Sequence, residues 1–194
     1  MSDTVIADFD RKLAREAFEQ RAAQGAAALT RLGAGADVPV ALIMRNDLTQ
    51  LEVMRAAAMA GTVIVAQNWH AAAEEAGAIC DDSGAQFVII HRDLIDALRP
   101  ALEGRTVIAV TPDTALRQAY GIDDAAAKTD PETPEWSALV DAADPITPRE
   151  MMRPLMRYTS GSTGKPKGVR RLGGGPKRDF EEVLSRVGTE MLQL

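Results

Sequence analysis

Short apolar runs alternate with helical patterns through the first 110 residues of the chain. The apolar runs occupy residues 38–44, 62–65, 86–90 and 106–110, and turn-forming residues bound each of them. Runs of this length and composition are typical of strands that are buried on both faces. Apolar residues spaced about one helical turn apart predict helices over 11–32 and 48–60, and an alanine-rich helix is predicted over 71–82. A further short helix is predicted over 94–102. This alternation predicts an α/β fold with a largely parallel sheet flanked by helices.

Capping residues predict where the helices begin and end. Asp47 is a suitable N-cap for the helix 48–60, and Gln50 follows three residues later, as in a capping box. Gly61 stands where a left-handed C-cap is wanted, because glycine reaches positive φ without a steric penalty. Gly104 is predicted to end the helix 94–102.

The pattern changes after residue 110, and four regions result. Residues 1–110 are the predicted α/β subdomain, and 111–150 form a proline- and acid-rich excursion over the surface, with one short helix near 136–142. Residues 151–171 hold a strand that leads into a glycine-rich segment. We expect this strand to start a neighbouring sheet that is left incomplete. Residues 172–194 form a predicted helical tail, whose apolar face is made by Phe180, Val183, Leu184 and Val187.

Composition adds an expectation about how the helices pack. The hydrophobic fraction is 46%, but much of it is alanine, and aromatic residues make up only 4% of the chain. Alanine is the best helix former and has a small side chain. We therefore expect alanine-faced helices that lie close to a flat sheet.

Charge and cysteine content argue against several classes of protein. The net charge of the 194-residue chain is −6, whereas a nucleic-acid partner calls for a basic surface. Cys80 is the only cysteine, so an internal disulfide is excluded and a reducing cytoplasm is the expected location. The first ten residues lack the apolar core of a signal peptide, and no stretch is long and apolar enough to predict a transmembrane segment.

The segment 159–168 combines three features that bind phosphate groups. Its glycines let the backbone turn with positive φ and approach a ligand, and backbone N–H groups in such a turn attract anions. Four hydroxyl groups and two ammonium groups surround the glycines, on Thr159, Ser160, Ser162, Thr163, Lys165 and Lys167. The hydroxyls can donate to phosphate oxygens or bind Mg²⁺, for which Thr163 is the candidate ligand. Together these groups suit the binding of a triphosphate whose two outer phosphates leave in the reaction.

Two common nucleotide-binding motifs do not match this chain. A Walker A loop needs a second glycine at a fixed spacing from the first, and counted from Gly161 that position is Pro166. The dinucleotide fingerprint begins to match at Gly33 and Gly35, but Val38 occupies the position of its third glycine. The chain therefore lacks the motif evidence for a P-loop NTPase or a Rossmann dinucleotide site.

Residues 158–169 resemble the phosphate-binding signature of the adenylate-forming superfamily, which includes acyl-CoA synthetases, luciferases and the adenylation domains of peptide synthetases. The residues that carry the resemblance are Tyr-Thr-Ser-Gly-Ser-Thr-Gly-Lys-Pro-Lys-Gly-Val. The runs 40–47, 60–65, 68–75 and 82–85 resemble earlier parts of the same fold, and Arg170-Arg171 resembles the pair directly after the signature in bacterial acyl-CoA ligases. The resemblance covers roughly residues 28–110 and 144–171, and it implies the N-terminal subdomain of the adenylate-forming fold.

The resemblance implies a two-step reaction. A carboxylate attacks the α-phosphorus of ATP, which gives an acyl-adenylate and pyrophosphate, and a thiol, usually that of CoA, then takes the acyl group. The residues implied to hold the β- and γ-phosphates are Thr159, Ser160, Gly161, Ser162, Thr163, Gly164, Lys165 and Lys167. The implied ligands of the whole enzyme are therefore ATP, Mg²⁺, CoA and a carboxylic acid.

Later elements of that superfamily find no counterpart in this chain. The Tyr-Gly-x-Thr-Glu segment, the ribose-binding aspartate, the hinge and the catalytic lysine belong several hundred residues beyond the signature. Thr189-Glu190 lies too close to the signature and lacks the tyrosine. We therefore expect an N-terminal fragment of an acyl-CoA synthetase, with no catalytic residue of its own and no adenylation activity alone.

Two alternatives to this interpretation stay open. One is a fragment of another adenylating enzyme that activates aryl or amino acids, and the other is a stand-alone, non-catalytic domain. An incomplete sheet also exposes apolar surface, through which a homodimer can form.

Several titratable or aromatic side chains are predicted to serve packing or solvation rather than chemistry. Trp69 and His70 are expected to pack at the end of a strand, and His91 to be structural or solvated. Cys80 lies on a predicted helix without a basic neighbour, which is typical of a buried, inert thiol. The acidic pairs at 74–75 and 81–82 are expected to lie on solvated helix faces rather than to bind metal.

Overall fold

A computed structural model describes residues 5–8, 11–35, 38–127, 130, 132–147, 156–159 and 167–170 of the chain. The strands are β1 Val5–Asp8, β2 Arg11–Ala14, β3 Pro39–Ile43, β4 Val63–Ala66, β5 Phe87–His91, β6 Thr106–Val110, β7 Met156–Thr159 and β8 Lys167–Arg170. The helices are α1 Arg15–Arg31, α2 Leu48–Ala60, α3 Ala73–Ser83, α4 Ile95–Leu102, α5 Thr114–Tyr120 and α6 Trp136–Asp141, and a 3₁₀ turn over Arg92–Leu94 precedes α4. No helix within the described ranges is long and apolar enough to cross a membrane.

Six strands form one sheet in the order β6-β5-β3-β4-β7-β8. The first five run parallel, and β8 is antiparallel to its neighbour. The four strands predicted before residue 110 are all present, and their helices alternate with them as predicted. The prediction of a largely parallel sheet flanked by helices is therefore confirmed.

Strand β7 corrects one expectation. We expected it to start a neighbouring sheet, but it joins the main sheet beside β4, with Val65 opposite Met156 and Ala66 opposite Arg157. Strand β3 occupies one edge of β4, and β7 pairs with the other. A sequence does not reveal which of two distant segments pair, because strand pairing depends on contacts far apart along the chain.

The sheet separates two layers of helices. Helices α1, α2 and α6 pack on one face, against inward side chains such as Leu42, Ile64 and Ile89. Helices α3 and α4 pack on the other face, against Ile43 and Ile90. Many of the buried positions on α1 and α2 are alanines, as the composition predicts.

Helix α1 packs against α6 and α2 at a glycine. A β-carbon built on Gly25 would lie 2.7 Å from Cζ2 of Trp136 and 3.0 Å from the β-carbon of Ala56. The indole is 1% exposed, and its Nε1 donates to Oε1 of the buried Glu52 at 2.9 Å. Arg21 donates to the other oxygen of Glu52 at 2.7 Å, so the buried carboxylate is satisfied from both sides.

The region 111–150 is only partly the surface excursion that its prolines and acids predict. The short helix expected near 136–142 is present as α6, but its Trp136 and Val140 are fully buried. A second helix, α5, went unpredicted, and its Leu116 is also fully buried. Asp113 caps α5 by accepting from the backbone N–H of Leu116 at 2.8 Å. The region therefore contributes to the core as well as to the surface.

The N-terminal helix begins four residues later than predicted. Residues 11–14 form β2, which pairs antiparallel with β1 and places Ile6 opposite Leu13. The alternation of half-buried and exposed residues along β2 is the period of a strand. The apolar residues near position 13 fit a helix and a strand equally well over so short a run, and the pairing with β1 decides between them.

The predicted caps of α2 are confirmed. Asp47 accepts from the backbone N–H of Gln50 at 2.7 Å, and Gly61 ends the helix with a φ of 74°. Gly104 follows α4 with a φ of 72°. The predicted helical tail at 172–194 lies outside the described residues.

Candidate functional site

The two ends of the glycine-rich segment face each other across an antiparallel strand pair. Thr159 is the last residue of β7, Lys167 is the first residue of β8, and their α-carbons are partners in the register. Tyr158 is likewise opposite Gly168. Of the predicted phosphate-binding residues, Thr159 and Lys167 are thus brought together, whereas Ser160, Gly161, Ser162, Thr163, Gly164 and Lys165 lie outside the described residues.

The Thr159–Lys167 end of this strand pair lies at the carboxyl edge of the sheet. Because β7 runs parallel to β4, its last residue lies at the edge where β3, β4, β5 and β6 also end. Open parallel sheets bind ligands outside the carboxyl ends of their strands. The glycine-rich segment therefore leaves the sheet on the side where a ligand is expected.

Tyr158 ties this strand pair to helix α3. Its hydroxyl donates to Oδ2 of Asp82 at 2.6 Å. Burial of the half-buried ring and the neighbouring Asp82 carboxylate both raise the pKa of Tyr158. The phenol therefore keeps its proton and remains a hydrogen-bond donor at neutral pH.

A buried ion pair joins the loops that follow β3 and β5. Arg45 donates through Nη1 to Oδ1 of Asp93 at 3.0 Å and through Nη2 to Oδ2 at 2.8 Å. Both side chains are less than a tenth exposed. Such a fork geometry is the strongest arrangement of arginine with a carboxylate, and it fixes the two loops relative to each other.

His91 is structural. It is completely buried, and its Nδ1 accepts a hydrogen bond from the backbone N–H of Arg45 at 3.1 Å. Nδ1 therefore acts as the acceptor and Nε2 carries the proton, 3.5 Å from Oδ2 of Asp47. Of the two roles predicted for this residue, the structural one is confirmed and the solvated one is wrong.

Aromatic rings cover the guanidinium of Arg45. Its central carbon lies 4.4 Å from the centroid of Trp69 and 5.2 Å from that of Tyr120. Trp69 also contacts His70, with 3.4 Å between the ring centroids, and is half-buried against the α3–α4 layer. The prediction of packing at the end of a strand is confirmed for Trp69, whereas His70 is exposed. The packing of Trp69 covers the buried ion pair.

Arg11 joins the N-terminal hairpin to the same edge of the sheet. Its Nη2 lies 2.8 Å from Asp8 and 3.7 Å from Asp47, and its Nε lies 2.7 Å from Asp113. Burial alone would lower the pKa of Arg11, but the hydrogen bond to Asp8 and the three carboxylates raise it. Asp8 also accepts from the backbone N–H of Leu48, so this hairpin covers the N-terminus of α2.

The charged cluster around Arg45 and Arg11 was not predicted from the sequence. A usable signal was present, because charged residues closely follow the apolar strands β3, β5 and β6, namely Arg45, Asp47, Arg92, Asp93 and Asp113. Charges in those positions of parallel strands meet at one edge. Which of these charges form ion pairs depends on the strand order, which the sequence does not reveal.

Cys80 and the two acidic pairs of α3 lie where the sequence predicts, in the core and on exposed helix faces. Cys80 is buried and accepts from Nε2 of Gln67 at 3.2 Å, and burial raises the pKa of its thiol. The acidic pairs at 74–75 and 81–82 are exposed on α3. Within the described ranges, no group of three or more His, Cys, Asp or Glu side chains could hold a metal ion.

Known proteins resemble this chain over most of its length. The fatty acid–[acyl-carrier-protein] ligase ScoC of Streptomyces coeruleorubidus is 29% identical over 161 residues, which are 82% of this chain and 28% of that protein. The 4-coumarate–CoA ligase 2 of Oryza sativa subsp. japonica is 28% identical over 150 residues, 75% of this chain and 26% of that protein. The chain thus spans less than a third of either relative.

A solved structure and a family model agree with these relatives. A benzoate CoA ligase from Burkholderia xenovorans LB400 superposes with a TM-score of 0.68 at 22% identity, covering 87% of this chain and 31% of that chain, which shows a shared fold. The model of the family described as AMP-binding enzyme matches residues 2–171. That match includes the sheet, the charged edge and both strands that flank the glycine-rich segment, so the chain belongs to the AMP-binding enzyme family, the adenylate-forming enzymes.

Proposed function

We propose that this chain carries the phosphate-binding part of an ATP-dependent acyl-CoA synthetase, which joins a carboxylic acid to a thiol through an acyl-adenylate. One observation carries the proposal. The segment 159–168 has the glycines, hydroxyls and lysines of a phosphate-binding loop, and the strands at its two ends pair at the carboxyl edge of the sheet. Family membership supports the same reaction class.

The proposed role of the segment is to hold the β- and γ-phosphates and to stabilise the departing pyrophosphate. The residues assigned to this role are Thr159, Ser160, Gly161, Ser162, Thr163, Gly164, Lys165 and Lys167. Transfer at phosphorus depends mainly on positioning and charge neutralisation, which hydroxyls, backbone N–H groups and lysines supply. The Thr159–Lys167 pairing supports this role, because it holds the ends of the segment at a fixed separation.

Magnesium is proposed to enter together with ATP. Proteins commonly hold this ion through one or two oxygen ligands and the phosphates of the substrate. The hydroxyl of Thr163 is a hard oxygen ligand of the required kind, and we assign it to Mg²⁺. The ion would neutralise charge on the same phosphates that the lysines are proposed to bind.

We expect the 194-residue chain to bind the phosphates but not to adenylate an acid. The resemblance assigns the ribose-binding aspartate and the catalytic lysine to later segments, and the matched relatives extend over more than three times the aligned length. CoA, the carboxylic acid and a cytoplasmic location are proposed for the whole enzyme. A homodimer through exposed apolar surface stays a prediction. Within the described ranges, only two large apolar side chains are exposed, Leu32 and Tyr120, so the support for such an interface is small.

Two other functions would give different results in one binding experiment. A stand-alone, non-catalytic domain would not bind Mg²⁺-pyrophosphate at all, whereas an aryl- or amino-acid-activating enzyme would bind it equally well. The relatives are described as ligases of fatty acid, 4-coumarate and benzoate, so the acid itself is tested separately with the complete enzyme.

The deciding experiment is isothermal titration of the chain with Mg²⁺-pyrophosphate. We expect binding in the wild type and a loss of about tenfold in affinity for Lys165→Ala and for Lys167→Ala, because each substitution removes a charged donor to phosphate. Lys12→Ala is the matched control, because it removes the same charge from the exposed face of β2. Equal affinity in all four proteins would contradict the proposal.

A further inference from the structure

The β7–β8 hairpin is held to the rest of the molecule on two sides. On one side β7 pairs with β4 through two residue pairs, Val65 with Met156 and Ala66 with Arg157. On the other side β8 lies against helix α3. Beyond Arg157, where the chain approaches Thr159, the backbone pairing with β4 has ended, so the position of the last two residues of β7 depends on other contacts.

Tyr158 supplies such a contact at the right place. It precedes Thr159, it is opposite Gly168 in the register, and its hydroxyl reaches Oδ2 of Asp82 at 2.6 Å. A hydrogen bond between a hydroxyl and a carboxylate is shorter and stronger than one between neutral groups. The bond therefore fixes the hairpin one residue away from the ends of the glycine-rich segment.

Asp82 stands on a well-anchored part of α3. Gly84 takes a left-handed conformation with a φ of 70°, and the backbone N–H of Ala85 donates to the carbonyl of Cys80 at 2.9 Å. Cys80 and Ala85 are both buried. The end of α3 is thereby locked into the core, and a side chain on it is a firm point of attachment.

The position of Asp82 is unfavourable for the helix alone. A carboxylate in the last turn of a helix faces the negative end of the helix dipole. A donor from another part of the chain would offset part of that cost. The Tyr158 hydroxyl is such a donor, and the pKa of Tyr158 is raised by burial and by Asp82, so the donor proton is retained at neutral pH. Both features point to a role for Asp82 outside α3.

We propose that the Tyr158–Asp82 hydrogen bond is a positioning contact that sets the ends of the glycine-rich segment for phosphate binding. The proposal rests on the proposed function, because it concerns the same phosphate-binding segment. Neither residue is assigned to touch the ligand. Both act through the backbone of β7 and β8, so their substitution is expected to change binding and the local opening of the hairpin more than global stability.

The test uses three substitutions and one matched control in the 194-residue chain. Tyr158→Phe removes only the hydroxyl, Asp82→Ala removes the acceptor, and Asp82→Asn keeps an acceptor oxygen without the charge. Asp81→Ala is the control, because Asp81 is the adjacent acid on α3 and pairs with Arg105 instead of the hairpin. The readouts are Mg²⁺-pyrophosphate affinity, hydrogen–deuterium exchange over residues 156–170, and urea unfolding.

We expect Tyr158→Phe and Asp82→Ala each to weaken pyrophosphate binding about fivefold, which is the loss typical of one hydrogen bond. Exchange over 156–170 should accelerate in both, and the double variant should be no worse than either single variant, since both substitutions break one interaction. Asp82→Asn should recover most of the affinity, and Asp81→Ala should match the wild type.

The outcomes separate this proposal from the proposed function. Pyrophosphate binding of wild-type strength in Tyr158→Phe and Asp82→Ala would overturn the positioning role and leave the proposed function standing. Faster hydrogen–deuterium exchange without a change in pyrophosphate affinity would also overturn the positioning role, because the contact would then only stabilise the hairpin. Absence of binding in the wild type would overturn the proposed function, and the positioning role with it.

Discussion

The face of the sheet under α1 and α2 and the β7–β8 hairpin are held together by different means. Under α1 and α2, alanines, Gly25 and Trp136 interlock so closely that a single added β-carbon would collide with the indole. The hairpin is held by two residue pairs with β4 and by the Tyr158–Asp82 bond at the surface. The first region is therefore closely packed, whereas the second rests on few contacts.

The charged carboxyl edge lies between these two extremes. Its Arg45–Asp93 pair is buried like the core, but the edge is held by ion pairs rather than by apolar contact. Substitutions can therefore separate the regions. Those under α1 and α2 should change stability and leave pyrophosphate affinity unchanged, whereas those at the hairpin should do the reverse.

The largest effect is expected at Trp136. Trp136→Ala removes a buried indole and leaves a cavity between α1 and α6, which should lower the free energy of unfolding by about 4 kcal/mol. Urea unfolding followed by far-UV circular dichroism measures it. Trp69→Ala, at a half-buried indole, should cost about 1 kcal/mol. Equal losses at the two tryptophans would contradict the assignment of Trp136 to the core.

The next effect is expected at the buried ion pair. Asp93→Ala leaves the guanidinium of Arg45 buried without a counter-charge, which should lower the free energy of unfolding by about 3 kcal/mol. Asp96→Ala is the control, because the Asp96 side chain is 89% exposed in its pair with Arg99 and should contribute less than about 0.5 kcal/mol. Thermal unfolding measures the difference, and equal melting temperatures of the two variants would contradict this prediction.

Two helical glycines should respond to alanine with opposite signs. Gly25→Ala places a β-carbon 2.7 Å from the indole of Trp136, and the forced shift should cost about 2 kcal/mol. Gly77→Ala places one at 3.6 Å from Ala101, an ordinary contact, and should stabilise α3 by about 0.5 kcal/mol. A urea midpoint of Gly25→Ala at or above that of the wild type would show that the packing under α1 is looser than described.

The smallest effect concerns the thiol of Cys80. Burial raises its pKa, so less thiolate is present at pH 8 than in a free cysteine, and the folded chain should react with a thiol reagent at least about tenfold more slowly than the chain unfolded in urea. The absorbance of the released chromophore follows the reaction. Similar rates in both states would mean that α3 opens readily, which would also weaken its role as an anchor for the hairpin.

Local signals predicted those elements whose ends and faces are determined nearby in the chain. Asp47 and Gly61 identify the two ends of α2 because capping needs only neighbouring backbone groups. The four apolar runs identify β3 to β6 because a strand buried on both faces must be apolar throughout. The glycine-rich signature identified the family for a related reason, since phosphate binding needs particular residues in close succession.

Features that depend on distant contacts were missed or misassigned. The pairing of β7 with β4, the burial of Trp136 and the hairpin of β1 with β2 each join segments that the local pattern leaves independent. The same holds for the Arg45–Asp93 pair and for Tyr158 with Asp82, which lie 48 and 76 residues apart along the chain. For the Arg45–Asp93 pair alone, the sequence held a usable signal, namely charged residues shortly after buried strands.

The central claim is that pyrophosphate binds where β7 ends and β8 begins, and amide-resolved NMR tests it most directly. A titration of the ¹⁵N-labelled chain with Mg²⁺-pyrophosphate should shift the resonances of Thr159, Lys167 and Gly168. Those of the buried strands β3 and β5 should stay in place. Shifts centred on the Arg45–Asp93 edge, or no saturable shift anywhere, would contradict the account.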